Sequence, residues 1–278
     1  MGVDSLMFAV STPAVRVGYL GPAGSWTHQA CLDLYGGQEL VPYGKEQLFV
    51  AFAEQKIDKL CIPATTSIVG ATPYMDDVLA MTEANIVAEY PKMLGYSMLV
   101  KRGTTREQIK TVLAHPVALE EVKPWLDKEM PTISRQPALS GGAAALEVAN
   151  SPTASVASMG PPAAAKIYGL EPLINAIEEG PHNVTRWWVL GRDITTPSGN
   201  DKTTLLLSTS EKAFGQELKA LAPLSAQILT IYERPSKTAL DGHVYVIELA
   251  GHAMQEPLKG FLRSHPRFKL LGSYPRKY

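Results

Sequence analysis

The order of strand-like and helix-like segments is the feature that most constrains the fold of this chain. Residues 15–21, "VRVGYLG", have the pattern of a strand, and "SWTHQACLDLYGG" after them has helical spacing. Ser25 and Thr27 can each cap the start of that helix. Strands and helices continue to alternate up to about residue 193, which predicts an α/β sheet covered on both faces.

A different pattern follows a short polar segment. The stretch "GRDITTPSGNDK" is rich in Pro, Ser, Gly, Asn and Asp, which predicts a linker at about 194–202. The segments beyond it follow the order βαββαβ, which is the ferredoxin-like order. We therefore expect a leader at 1–14, a larger α/β domain at 15–193 and a smaller domain at 203–278.

Composition narrows the class of protein. The 278 residues are 45% hydrophobic, which suits two domains, and the formal net charge is -1. A net charge so close to zero gives no indication of a nucleic-acid partner or a membrane surface. No apolar run approaches the roughly 20 residues of a membrane helix. The first fifteen residues lack a basic n-region, so we interpret them as a leader or an added strand and not as a signal peptide. Two cysteines without metal-type spacing, Cys31 and Cys61, fit a cytoplasmic location.

Several cofactor motifs are missing from the sequence. It contains no HExxH and no paired CxxC, and the six histidines show no ligand spacing, so we expect no metal site. It also contains neither GxGxxG nor GxxxxGK[ST], the loops that bind dinucleotides and nucleoside triphosphates. We therefore predict no cofactor.

Four hydroxyl-bearing loops each follow a probable strand. Each loop alone is also typical of a plain turn or a helix cap. Because loops at the carboxyl ends of strands meet at the ligand-binding crevice of an open α/β sheet, their convergence indicates a binding site. The candidate binding residues are Gly24, Ser25, Thr65, Thr66, Ser67, Ser140 and Asn183, and the candidate catalytic residues are Thr185 and Arg186.

The fourth loop leads into "PHNVTRWWVLGR" at 181–192, which places Thr185 beside Arg186 at the start of an aromatic strand. One interpretation is a polar strand start followed by a buried strand. The other is that both side chains project into a cleft, where the guanidinium holds a carboxylate and the hydroxyl delivers a proton.

Several segments together resemble the prephenate dehydratase family with its C-terminal ACT domain, over about 16–276. "YLGPAGSWTHQA" is similar to that family's opening loop, and "NVTRWWVLGR" to its Asn-x-Thr-Arg-Phe signature, with Trp187 in the Phe position. "TVLAHPVAL", "ASMGPPAAAKIYGL", "YERPSK" and "FKLLGSYP" are similar to further family segments.

The resemblance implies a two-lobed, periplasmic-binding-protein-like α/β domain followed by an ACT domain. The lobes would comprise 15–92 with 181–193, and 93–180. Family members convert prephenate, a doubly acidic small molecule, to phenylpyruvate for phenylalanine biosynthesis, with loss of carbon dioxide and water. The resemblance makes Thr185 the proton donor and Arg186 the anion clamp or a structural partner. It also implies a homodimer or homotetramer and an amino-acid effector at the ACT domain.

The sequence departs from the family pattern both in the expected active site and in the ACT domain. The family's Pro-Ile-Glu-Asn-Ser/Thr loop is here 63–67, "PATTS", so the acid and the amide are both missing, and its Ser-Thr pair becomes Ser140-Gly141. In the ACT domain the effector motifs are also altered, so we expect lost or changed sensing. The effector residues implied by the resemblance are Lys212, Ala213, Phe214, Tyr232, Glu233, Arg234 and Pro235.

Three functions remain open at this point. The chain is a prephenate dehydratase, a related enzyme such as a prephenate decarboxylase that does not aromatise the ring, or a non-catalytic protein that binds a ligand and regulates. Retention of Thr185 argues against the third, because a sensor needs no proton donor.

Overall fold

The computed structural model describes residues 14–278 except 82, 179, 181 and 239. The predicted leader at 1–14 therefore lies outside the described residues, apart from its last position. None of the helices in this described part of the chain has the length and apolar character needed to cross a bilayer.

The described chain contains fifteen strands and nine α-helices. The strands are β1 (Arg16–Leu20), β2 (Glu39–Tyr43), β3 (Lys59–Thr66), β4 (Gly70–Ala71), β5 (Asn85–Met93), β6 (Tyr96–Val100), β7 (Thr111–Ala114), β8 (Ser134–Pro137), β9 (Val156–Gly160), β10 (Glu171–Ile177), β11 (Val184–Gly191), β12 (Asp201–Ser210), β13 (Ile228–Pro235), β14 (Gly242–Ala250) and β15 (Phe268–Pro275). The helices are α1 (Trp26–Tyr35), α2 (Lys45–Ala53), α3 (Tyr74–Leu79), α4 (Pro116–Glu121), α5 (Lys123–Glu129), α6 (Gly141–Asn150), α7 (Ala163–Tyr168), α8 (Glu211–Ala220) and α9 (Leu258–Ser264).

The first sheet has the strand order β2-β1-β3-β11-β5, with β4 paired to β3. Strands β1, β2 and β3 run parallel, whereas β11 is antiparallel to both β3 and β5. Helix α1 covers one face, where its residues pack with Trp187, and α2 and α3 cover the other face, where theirs pack with Trp188. Consecutive residues of β11 therefore belong to different cores.

The second sheet has the order β10-β6-β9-β7-β8. The chain passes to it from the first sheet between Met93 and Tyr96, and it returns between Ile177 and Val184. Two sheets joined by two crossings make this part of the molecule a two-lobed α/β fold.

The third sheet is antiparallel with the order β13-β14-β12-β15, and its elements follow the βαββαβ order. We call β12–β15 with α8 and α9 the C-terminal domain. One face of this sheet packs on its own helices, and the other packs on the first lobe, where Val246, Leu271 and Tyr274 join the core that contains Trp188. Strand β12 begins at Asp201, inside the predicted linker, because Asp201 already pairs with Pro275.

The segment between β6 and β7 forms only a single 3₁₀ turn. The turn covers Arg106–Gln108, and Thr105 and Gln108 close it with reciprocal side-chain contacts. Because β7 begins at Thr111, too few residues remain for a full α-helix.

Candidate functional site

The loop before α1 is held by its own polar groups. The Ser25 hydroxyl accepts a hydrogen bond from the His28 amide at 3.1 Å and donates to the Leu20 carbonyl at 3.3 Å. Gly24 has a φ of 77° and donates its amide hydrogen to Nδ1 of His28 at 3.0 Å. Burial lowers the pKa of His28, which favours the neutral ring that this acceptor role requires.

The start of α6 in the second lobe lies against that loop. Ser140 caps α6 by accepting from the Ala143 amide at 3.0 Å. A Cβ atom added to Gly142 would lie 2.6 Å from the Ala23 carbonyl oxygen and 3.0 Å from the Ser25 nitrogen. The missing side chain of Gly142 therefore allows the two predicted loops to meet across the lobes.

Three further residues join the lobes here, and sequence reasoning gave none of them a role. The Tyr168 hydroxyl donates to the Ala23 carbonyl at 2.6 Å, and the Trp26 ring packs edge-on against Tyr96 at a centroid distance of 5.9 Å. A Cβ on Gly24 would lie 3.0 Å from the Tyr168 ring. These contacts join residues that are far apart along the chain, so the sequence did not predict them. The small residues of the two loops were the only local indication that the loops approach closely.

Thr185 lies in β11 on the face covered by α1. It pairs directly with Thr66 in β3 and with Lys92 in β5, so the three side chains point to the same side of the sheet. Trp187 shares this face and donates to Thr27 in the first turn of α1 at 3.0 Å. Thr185 is only 6% exposed.

Lys92 is the cationic residue beside Thr185, and sequence reasoning missed it. Its ammonium group lies 2.8 Å from the Asp33 carboxylate, and its side chain is 30% exposed. The pairing of β5 with β11 is what brings it there. No local pattern in the sequence reveals that register.

Arg186 points away from Thr185, which corrects the expectation that both side chains enter one cleft. Its Nε donates to the Thr65 hydroxyl at 3.1 Å, and its Nη1 lies 2.6 Å from Glu248 and 3.2 Å from Glu89. The physical reason is that successive side chains of a strand alternate between faces. Arg186 was expected to be either an anion clamp or a structural partner, and its contacts support the structural role. Because Thr65 bonds to Arg186, its side chain is also turned away from the predicted crevice.

These contacts belong to a buried group of four charges that we call the interdomain ion cluster, composed of Glu89, Arg186, Lys202 and Glu248. The Lys202 ammonium lies 2.8 Å from Glu89 and 3.7 Å from Glu248. The ring of Tyr278 covers both cations, at 3.9 Å from Lys202 and 5.8 Å from Arg186. Burial alone would lower the pKa of Arg186, but the Glu248 carboxylate outweighs it and raises the pKa above its ordinary value.

Ser67 and Asn183 hold the return crossing between the lobes. The Ser67 hydroxyl donates to the His182 carbonyl at 2.5 Å and accepts from the Val184 amide at 2.8 Å. The Asn183 side-chain nitrogen donates to the Glu178 carbonyl at 3.2 Å, and its buried Oδ1 has no partner among the described residues. The Ser67 hydroxyl is thus occupied within the protein, whereas Asn183 keeps a free acceptor.

The residues predicted to bind an effector do not form one site. Phe214 stacks on Tyr245 at 4.8 Å and on His243 at 5.4 Å, and Glu233 lies 3.0 Å from His243. These contacts lie on the helix side of the C-terminal sheet. Lys212 and Ala213 precede Phe214 at the start of α8.

Tyr232 and Arg234 belong to the opposite face. Tyr232 packs against the core of the first lobe, and the Arg234 guanidinium lies 2.6 Å from Asp76 in α3. Alternation along β13 separates both from Glu233 and from the exposed Pro235.

Comparison with known families identifies one match over most of the two-lobed part. The family model described as "Prephenate dehydratase" matches residues 17–195. The bifunctional chorismate mutase/prephenate dehydratase of Neisseria gonorrhoeae is 32% identical over 282 residues, which cover 98% of this chain and 77% of that protein. The prephenate dehydratase of Mycolicibacterium vanbaalenii is 28% identical, with 93% and 90% covered.

Solved structures show the same fold. Prephenate dehydratase from Arthrobacter aurescens, in complex with L-Phe, has a TM-score of 0.85 and 23% identity, with 94% of this chain and 90% of that chain covered. GqqA, described as a novel type of quorum quenching acylase, has a TM-score of 0.82 and 20% identity, with 94% and 98% covered. On the family-model match and the relative from Neisseria gonorrhoeae, this chain belongs to the prephenate dehydratase family.

Proposed function

We propose that this protein is a prephenate dehydratase, a carbon–oxygen lyase that converts prephenate to phenylpyruvate in phenylalanine biosynthesis. Family membership supports the reaction. The observation that carries the assignment of the site is the position of Thr185, which is only 6% exposed and lies opposite Lys92 on the same face of the sheet.

The reaction breaks two bonds of the prephenate ring. The ring carboxylate leaves as carbon dioxide, and the electrons of its carbon–carbon bond aromatise the ring while the carbon–oxygen bond opposite breaks. The Thr185 hydroxyl donates its proton to the departing oxygen, which leaves as water, and the threonine oxygen then takes up a proton from solvent. A threonine hydroxyl is a weak acid, so positioning and electrostatics must supply most of the rate, and a placed donor contributes roughly 10²–10⁴-fold.

The two carboxylates of the substrate need partners, and Arg186 is committed elsewhere. We assign the anion-holding role to Lys92, which is opposite Thr185 in the neighbouring strand. The Gly24–Ser25 loop at the start of α1, the Thr66 hydroxyl and the Ser140 hydroxyl complete the proposed binding site. Free amide groups at the start of a helix favour a carboxylate.

The missing acid and amide of the 63–67 loop leave the non-aromatising decarboxylase as the second candidate. Without the Glu side chain, departure of the hydroxyl depends on Thr185 alone. The fold does not decide between these reactions, because one fold can host many activities. The place of Thr185 opposite Lys92 favours the dehydratase over a protein that only binds.

The C-terminal domain supports two further proposals. We assign it as an ACT domain, and we propose that its edge strand β13, with Leu229 and Ile231 37% and 41% exposed, pairs with a second copy in a homodimer or a tetramer of such dimers. Sensing of an amino acid is altered, since Phe214 and Tyr232 lie on different faces.

The free thiols Cys31 and Cys61 are consistent with the cytoplasm.

The decisive experiment identifies the product. Purified protein is mixed with prephenate at neutral pH and the mixture is followed by proton NMR. Phenylpyruvate supports the dehydratase, and a dihydro product that retains the ring hydroxyl supports the decarboxylase instead. Binding of prephenate without turnover would overturn both and identify a regulatory protein.

A further inference from the structure

The interdomain ion cluster lies directly behind the proposed catalytic strand. Arg186 follows Thr185 in β11, so the anchored guanidinium and the catalytic hydroxyl belong to consecutive residues on opposite faces. The first lobe supplies Glu89 and Arg186, whereas the C-terminal domain supplies Lys202 and Glu248 from β12 and β14. The side chains of all four are no more than 3% exposed.

The charges of the cluster balance, but its hydrogen bonding is incomplete. Nη2 of Arg186 and Oε2 of Glu248 are buried, and neither has a hydrogen-bond partner among the described residues. Buried ion pairs stabilise a fold no better than well-packed apolar residues of similar size, and unpaired buried polar atoms cost free energy. Stability alone therefore does not account for four buried charges at this position.

Hydrogen bonds and ion pairs require particular distances and angles between their atoms, whereas packed apolar side chains tolerate small displacements. The Arg186 guanidinium is held from three directions, by Thr65 in β3, Glu89 in β5 and Glu248 in β14. Two of these partners belong to the strands on either side of β11, and the third belongs to the C-terminal sheet. The three bonds are 2.6–3.2 Å long, so a displacement of β11 by about 1 Å would take them beyond the roughly 3.2 Å at which N–H···O hydrogen bonds end.

We propose that the interdomain ion cluster positions Thr185 for the reaction, so that Lys202 and Glu248 of the C-terminal domain are positioning residues of the catalytic site. Neither residue touches the substrate. Both act through Arg186, which sets the place of β11 and with it the place of the Thr185 hydroxyl. This inference rests on the proposed function, in which Thr185 donates the proton.

The test compares Glu248→Gln with a matched control, Asp76→Asn. Asp76 also pairs across the two domains, at 2.6 Å from Arg234 and 3.0 Å from Lys237, and neither of these partners belongs to β11. We expect kcat for prephenate to fall roughly 10–100-fold in Glu248→Gln with KM within about twofold, because small misplacements of a catalytic group cost that much. The Asp76→Asn variant should keep the wild-type kcat.

A second variant separates positioning from stability. The double variant Arg186→Met with Glu248→Met leaves Glu89 and Lys202 as a neutral pair, so its thermal midpoint should recover towards that of the wild type while kcat stays low. Far-UV circular dichroism checks that each variant is folded. Recovery of the wild-type kcat in the double variant would contradict positioning and leave the cluster a purely structural role.

Methyl NMR gives a readout that does not depend on the reaction. The Thr185 methyl signal is assigned by its disappearance in Thr185→Ser. It should shift in Glu248→Gln and in the double variant, and stay in place in Asp76→Asn. An unmoved signal in Glu248→Gln overturns the inference, whereas absence of prephenate turnover by the wild-type protein overturns only the proposed function.

Discussion

At the residue scale, the pair Thr185-Arg186 separates what the sequence predicts from what it does not. The motif marked the start of strand β11, but the expectation of two side chains in one cleft ignored the alternation of side chains along a strand. Applied to "VTRWW", alternation alone predicts that Arg186 and Trp188 share one face and Thr185 and Trp187 the other, as the structure shows. Lys92 could not be found that way, because its place depends on strand register.

Loss of the Lys92 charge should weaken substrate binding. A hydrogen bond to a charged group contributes about 1.5–3 kcal/mol, so Lys92→Met should raise KM for prephenate roughly 10- to 100-fold with a smaller change in kcat. Steady-state kinetics measures both constants. The control Asp33→Asn removes the ion pair but keeps the ammonium group, and its KM should stay near the wild-type value. An unchanged KM in Lys92→Met would remove Lys92 from the site.

Protonation of His28 should loosen the loop before α1. Burial lowers the pKa of His28, so the stability that its neutral ring contributes is fully present above the ordinary histidine pKa of about 6.5 and is lost as pH falls through the lowered value. Urea midpoints measured from pH 7.5 to pH 4.5 should fall more steeply for the wild type than for His28→Gln. Parallel curves would show that His28 does not titrate differently on folding.

At the element scale, local sequence signals predicted where α1 and α6 begin, but not that the two helix starts contact each other. Ser25 and Ser140 were both recognisable as caps, because capping depends on neighbouring residues. The contact between the two starts depends on Gly142, whose role is visible only when the lobes are placed together.

A side chain at position 142 should separate the lobes. Gly142→Ala places a methyl group 2.6 Å from the backbone oxygen of Ala23, so the fold should lose about 1–3 kcal/mol and prephenate turnover should fall. The matched control is Gly215→Ala in α8, where no described atom lies within 4 Å of the added Cβ. That change should stabilise by about 0.5–1 kcal/mol. Equal effects of the two changes in urea denaturation would contradict the lobe contact.

At the scale of the whole molecule, the order of elements predicted an α/β domain followed by a βαββαβ domain, whereas the two lobes were implied only by the family resemblance. The structure contains three sheets, one in each lobe and one in the C-terminal domain. The sequence did not predict how the C-terminal domain joins the first lobe. Glu89, Lys202 and Glu248 are far apart along the chain, and each alone looks like an ordinary surface charge. Only the packing of the third sheet on the first lobe turns them into one buried group.

Removal of one carboxylate from the interdomain ion cluster should destabilise the whole molecule. Glu89→Gln leaves two buried cations with one carboxylate, which should cost about 3–5 kcal/mol in the free energy of unfolding. The control is Glu39→Gln, which removes an exposed ion pair with Arg16. This change should lower the free energy of unfolding by no more than about 1 kcal/mol. Equilibrium urea denaturation compares the two, and equal losses would contradict the burial of the cluster.

The role of Thr185 as the proton donor is tested by kcat for prephenate in Thr185→Val and Thr185→Ser. Valine keeps the shape of threonine and removes the hydroxyl, so kcat should fall roughly 10²–10⁴-fold, whereas serine keeps the donor and should retain most of the activity. Formation of phenylpyruvate at the wild-type rate by Thr185→Val would show that the proton comes from another group.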